Sequence, residues 1–352
     1  MPAPVAARRA RLQMPFALQP ASVSDPLRIT GVRTHVSGTS TYLKITTQGG
    51  VDGWGEIRST DSGLLDTLPK SLVGVSASAY TPIESKLPPA LASGACMAML
   101  DCLGKHCKAP VYQVLGGPTR FKVRAMALVN DAAEVKRSYA LGHRAFSLSI
   151  PAPPFPNSGK LYVNTIRTLF DAARAAAGPG SDFVLNCNAQ LTAGDASQLA
   201  AEFERSHLLW LDEPCRHGNT TALRKISDES VTPIGLGRQC REASDFQDLL
   251  REETVDILRP SLDHFSLARI RKIAALAEIY YIAVAPTHSG GTLMTAAALH
   301  LAASIPNFFI LHLPDRVPGD PVKGLDTTVR DGYINLPAAS GLGVTVDLGG
   351  RA

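Results

Sequence analysis

A parallel (β/α)7β barrel preceded by a smaller α+β domain is the fold class predicted by this 352-residue sequence. Three observations predict it. From about residue 122, eight apolar strand-like runs alternate with amphipathic stretches. A three-strand meander and two helical stretches stand before them. The chain is also long enough to bury one large core and a second, smaller one.

The meander comes first. Residues 28–36 and 41–47 are rich in β-formers, and Gln48-Gly49-Gly50 marks a turn into Val51-Asp52-Gly53-Trp54-Gly55-Glu56. Helical patterns follow over 63–75 and 89–107, the second built of small and apolar residues. The eight runs are 123–129, 145–150, 183–188, 208–214, 232–237, 255–260, 281–286 and 308–313. Helical stretches between them include 161–177, 194–206, 243–252, 267–279 and 292–303. Active residues are therefore expected at the carboxyl ends of the strands. The last helix of the alternation gives way to a tail of strand and turn character, 331–346, expected to pack back on the N-terminal domain. The division reads as an N-terminal extension 1–26, an α+β domain 27–121, the barrel 122–325 and a C-terminal tail 326–352.

Composition excludes several classes. Hydrophobic residues at 45% and charged residues at 19% describe an ordinary globular protein. The net charge of +4 is spread along the chain, so no nucleic-acid partner is expected. No apolar run reaches the roughly 18–20 residues of a membrane span. The six cysteines form no CxxC pair and read as reduced, mostly buried thiols of a cytoplasmic protein. Arg8, Arg9 and Arg11 precede no clear apolar targeting region, so residues 1–26 read as a loosely docked arm.

Several segments are then similar to one family. They are YLKITTQGGVDGWGE (42–56), MAMLDCLGKHCKAPVYQVLGG (97–117), LNCN (185–188), WLDEP (210–214), PIGLGR (233–238), APTHSGG (285–291) and DGYINLPAASGLGVTVD (331–347). In this order and spacing they resemble the mandelate racemase/muconate lactonising branch of the enolase superfamily, on its acid-sugar dehydratase side, over roughly residues 27–349. The resemblance implies a TIM-type barrel with the α+β domain as its cap. It implies a Mg²⁺ ion held by three acidic residues at the ends of successive strands, and a base that removes the proton alpha to a carboxylate. It also implies a homo-oligomer, dimer or octamer.

At the implied metal positions this chain carries Asn186, Asp212 and Arg238. A guanidinium cannot deprotonate in a protein and repels a divalent cation. The expectation is therefore an Arg238–Asp212 ion pair and no metal cofactor. The family's K-x-K lysines correspond to Ser147 and Ser149. Serine without a partner is no general base. His288 matches the family's catalytic histidine and is the candidate acid/base. Its usual aspartate partner falls on Ser261, with Asp263 two residues on as a substitute; the supporting late-strand glutamate matches His312. Asn188, Arg238 and Arg259 complete the expected substrate lining, the arginines as anion contacts. Cys215 and Cys240, near the mouth, match no zinc motif. The loops 37–40 and 81–94 are short for the family, which predicts a more open or differently shaped site.

Two functions follow as expectations. The first is a metal-free pseudoenzyme or binder of a small carboxylate or sugar acid. The alternative is a divergent lyase or isomerase with His288 as acid/base and Arg238 in place of the metal. A conventional Mg²⁺-dependent dehydratase is disfavoured by the triplet, and a partner of an active paralogue stays open.

Overall fold

A computed structural model describes residues 20–58, 62–314 and 319–348. The extension expected over residues 1–26 therefore lies outside the described residues up to residue 19.

The N-terminal layer is an antiparallel sheet of β1 (Ile29–Ser37), β2 (Ser40–Thr47) and β3 (Asp52–Arg58). Short helices α1 (Ser62–Leu65) and α2 (Thr67–Leu72) follow, then α3 (Pro89–His106) and α4 (Val111–Val114). Helix α3 is buried on nearly every side, which explains its small and apolar composition. It lies against β3 at backbone distance. A Cβ on Gly53 would stand 2.1 Å from the Ala98 carbonyl oxygen, and one on Gly55 would stand 2.0 Å from that of Gly94. The glycines of the meander are therefore packing residues as well as turn formers.

The barrel strands are β4 (Lys122–Val129), β5 (Ala145–Ser149), β6 (Asp182–Asn186), β7 (Trp210–Asp212), β8 (Ile234–Leu236), β9 (Ile257–Leu258), β10 (Ala283–Val284) and β11 (Leu311–Leu313). All pair in parallel in that order, and β11 returns to β4. A bridge between Val284 and Phe308 closes the ring. Between the strands run α5 (Ala132–Ala140), α6 (Gly159–Ala176), α7 (Ala193–Phe203), α8 (Thr220–Glu229), α9 (Ala243–Arg251), α10 (Leu267–Ile279) and α11 (Thr292–Ala302). Most begin at a polar cap that accepts a backbone N–H: Asp131 from Glu134, Thr192 from Asp195, Asn219 from Ala222 and Ser266 from Arg269.

After β11 the chain forms β12 (Val322–Lys323), β13 (Tyr333–Asn335) and β14 (Thr345–Val346). β12 pairs with β14, whereas β13 adds antiparallel to the first barrel strand, β4. The tail thus contacts the barrel as well as the N-terminal layer, where the Leu342 N–H donates to Asp101 of α3 at 2.8 Å.

Candidate active site

Side chains alternate across each strand, so residues two apart share the lumen. The lower layer is apolar: Met126, Ala145, Val184, Trp210, Ile257, Ala285 and Ile310 form one cluster. Two residues further along five of these strands stand Ser147, Asn186, Asp212, Arg259 and His312. The same period that fills the floor with hydrocarbon therefore builds a polar layer above it.

Asp212 is fully buried at its centre. Its Oδ1 accepts the Trp210 indole N–H at 2.7 Å and lies 3.5 Å from Arg259 Nε. Its Oδ2 lies 3.4 Å from Arg238 Nε. Arg238 Nη2 also donates to Asn186 Oδ1 at 2.7 Å and to Asn188 Oδ1 at 3.3 Å. Asn188 sits in the left-handed region at φ 51°, a conformation asparagine tolerates, and donates on to Ser149 Oγ. Two guanidinium groups thus converge on one carboxylate. Arg238 retains 24% side-chain exposure toward the mouth, while Arg259 is buried beneath it, its guanidinium carbon 5.1 Å from the Trp210 ring centroid.

From the sequence, Glu213 is expected only to face the other way along the strand from Asp212, with no role of its own. It too adopts a left-handed backbone conformation, which turns its carboxylate away from the lumen. There Oε1 accepts the N–H groups of Gly237 and Arg238 at 2.8 and 2.7 Å. Glu213 therefore positions Arg238. Burial, and next the neighbouring Asp212 charge, push its carboxyl pKa up. The WLDEP motif carried the signal, since a buried second acid beside the first needs donors.

His288 is buried, 2% exposed. The Gly290 backbone and the Asp263 carboxylate face its ring, but neither makes a well-formed hydrogen bond to it. Asp263 instead accepts the Ser261 hydroxyl at 3.1 Å and the Ser289 N–H at 3.1 Å. His312 Nδ1 lies 3.3 Å from Thr287 Oγ1. The expectation of a more open mouth is not met around His288, because β3 reaches over it. Glu56 Oε1 accepts the Gly291 N–H at 2.7 Å, Glu56 Oε2 accepts that of Met294 at 3.0 Å, and Arg58 donates to Ser289 Oγ.

Burial depresses the pKa of His288 to about 4 and that of His300 to about 4, and it holds that of His312 well below the ordinary imidazole range. All three are neutral at pH 7. Each folded pKa lies below its unfolded value near 6.5, so the unfolded chain binds more protons in between. The stability contribution is complete above about pH 6.5 and is lost as pH falls toward 4. Melting temperature should fall steadily over that window. His300→Asn, which keeps an acceptor for the Tyr112 N–H now bonded to Nδ1, should reduce the slope. An unchanged slope would exclude this histidine as a contributor.

Residues 130–349 match the family model described as "Enolase C-terminal domain-like". The chain is 28% identical to a D-xylonate dehydratase of Haloferax volcanii, over 73% of this chain and 67% of that protein. It is 28% identical to a D-mannonate dehydratase of Caulobacter vibrioides, over 87% and 88% of the two chains. A mandelate racemase/muconate lactonizing enzyme-like protein from Rubrobacter xylanophilus superposes with a TM-score of 0.82 at 25% identity, covering 92% of this chain and 96% of that one.

These relatives correct the expectation that the chain needs no metal. Two of them are named sugar-acid dehydratases, a Mg²⁺-dependent class of enzyme, and the described residues include a separate group of metal-ligand type, His217, Cys240 and Asp245. The three positions implied by the resemblance are a different matter. Asn186 Oδ1 is taken by Arg238 and by the Asn188 N–H, and Asp212 is taken by Trp210 and two arginines. As arranged, that set does not fit a divalent ion, which needs oxygens free of competing cations.

Proposed function

We propose, on the premise that this chain belongs to the enolase C-terminal domain-like family, that its barrel mouth accepts the carboxylate of a small sugar acid. One observation carries this reading: the convergence of Arg238 and Arg259 on the single carboxylate of Asp212. Glu213, whose pKa is raised, faces away, and its Oε1 already accepts two backbone donors. The neutral histidines add no charge but supply ring nitrogens that can bond to hydroxyl groups. The site is therefore rich in cationic donors, and Arg238 presents them to the mouth. Planar, bidentate recognition of carboxylate suits a guanidinium. Six free cysteines, five of them buried, support a reducing, cytoplasmic setting.

The experiment is a thermal-shift screen of D-xylonate, D-mannonate and D-galactonate. A bound acid at a hundredfold excess over its Kd should stabilise the fold by about 2.7 kcal/mol. Arg238→Met removes a charge-assisted contact of about 1.5–3 kcal/mol, so affinity should fall roughly 10- to 150-fold. No shift with any sugar acid, or a shift indifferent to Arg238, would defeat the reading.

A second reading adds chemistry of the dehydratase or racemase type, favoured by His288. A neutral, buried imidazole beside Asp263 can accept a proton and be steadied as a cation by that carboxylate. In D₂O, a bound acid should then take up deuterium alpha to its carboxylate. His288→Asn should slow this by roughly 10²-fold or more. Binding without exchange or dehydration would leave the acceptor site standing and remove the catalyst.

A further inference from the structure

Beside the lumen, on the rim of the mouth, stands a second constellation. His217 lies in the loop after β7, Cys240 in the loop after β8, and Asp245 in the first turn of α9. One ligand atom from each lies within 4.8 Å of the other two, and His217 Nε2 is 3.8 Å from Asp245 Oδ2. We propose that these three side chains form a binding site for a thiophilic divalent ion of the zinc type, separate from the Asp212 layer.

The chemistry of the donors selects the ion. Sulfur, imidazole nitrogen and one carboxylate oxygen suit Zn²⁺ or Co²⁺, whereas Mg²⁺ demands an oxygen shell. Tetrahedral bonds of about 2.0–2.3 Å place ligand atoms somewhat over 3 Å apart, so closure needs a shift of only about 1 Å. The carboxylate is already held: Asp245 Oδ2 accepts the N–H groups of Arg241 and Glu242 at 2.9 and 3.0 Å. Such outer bonds fix a ligand's orientation.

Two further observations point to an ion. Cys240 is fully buried, yet its sulfur makes no hydrogen bond among the described residues. The Nδ1 of His217 is likewise buried and unpaired, although the side chain as a whole is 31% exposed. His217 and Asp245 (24% exposed) give the ion a path from solvent to the buried thiol. Three protein ligands leave a fourth position for water or a small molecule, the pattern of an open zinc site. On binding, the thiol proton leaves to solvent and the sulfur coordinates as thiolate.

The test uses the full chain, stripped with chelator and titrated anaerobically with Co²⁺. One equivalent should bind, with the near-ultraviolet absorption of a thiolate-to-cobalt charge transfer. Zn²⁺ should displace it and Mg²⁺ should not. Cys240→Ser should abolish the absorption, while Cys107→Ser, at an exposed cysteine, should leave it intact. His217→Ala and Asp245→Asn should each weaken binding at least tenfold; asparagine keeps the helix cap. Absence of stoichiometric binding, displacement by Mg²⁺, or absorption that survives Cys240→Ser would overturn the site. If Cys240→Ser does not fold, an undiminished affinity in His217→Ala overturns it instead. The sugar-acid screen, run on stripped protein, reports on the Arg238 site alone, so either result can fail without the other.

Discussion

Asp212→Asn should destabilise the protein by about 3–5 kcal/mol, the usual consequence of removing one partner from a buried ion pair. The substitution keeps volume and an acceptor for the Trp210 indole, so it isolates the charge. Arg238 can turn its guanidinium toward solvent, but Arg259 is only 2% exposed and has no such escape. Its Nε and Nη1 already make no well-formed hydrogen bond. A lost carboxylate therefore leaves a cation in a low-dielectric lumen. Adding Arg259→Met should recover much of the loss, because an apolar side chain restores packing without a charge. Urea unfolding of both variants measures the coupling. If Asp212→Asn costs less than about 1 kcal/mol, the two arginines are not held by this carboxylate. In a barrel whose Asp212 served chiefly as a metal ligand, the same change would spare the stability of the metal-free protein.

Gly235→Ala comes next in size. A Cβ there would lie 2.2 Å from Cδ1 and 2.4 Å from Nε1 of Trp210, which is fully buried. β8 contributes no side chain to the floor at this level, and the indole of the neighbouring strand fills the space. Overpacking a core costs about 1–3 kcal/mol. Displacing the indole also breaks its 2.7 Å bond to Asp212, leaving a buried donor unsatisfied for another ~1–3 kcal/mol. The chain has two tryptophans, so Trp54→Phe leaves Trp210 as the sole emitter. Its fluorescence should shift to the red in Gly235→Ala, together with a fall in melting temperature. Unchanged emission and stability would mean that the floor can reorganise around a methyl group.

Much of the scaffold was legible because its signals are local. Helix α10 occupies 267–279, as its apolar periodicity indicates, and α3 ends within one residue of its expected bound. Helices α5 and α8 were not singled out. α5 buries Val135 alone, so its apolar stripe is thin, and its clearest mark is the Asp131 cap three residues before Glu134. All barrel strands but β4 came out shorter than their apolar runs. β9 spans two residues where the run covers six, although single backbone bonds flank it, from the Asp256 N–H to the Ile234 carbonyl and from the Arg259 N–H to the Leu236 carbonyl. The tail was expected on the N-terminal domain; its pairing through β13 with β4 depends on a strand some 200 residues away, which no local pattern encodes.

At the site, the sequence by itself determined which chemistry each position carries: a fixed cation at 238, amide at 186, hydroxyls at 147 and 149, imidazole at 288 and 312. Period two further determined that 145 and 147, or 210 and 212, share a face. Only the tertiary structure decided which of these meet. Arg259 reaches Asp212 from two strands away, Glu213 turns outward to hold the Arg238 backbone, Trp210 occupies the space over Gly235, and Glu56 closes the rim beside His288. His217, Cys240 and Asp245 converge from two loops and a helix. The physical reason is the closure of the barrel. Side-chain direction along a strand is fixed by the chain's own geometry, whereas distance across the lumen is fixed by how eight strands are staggered into a ring.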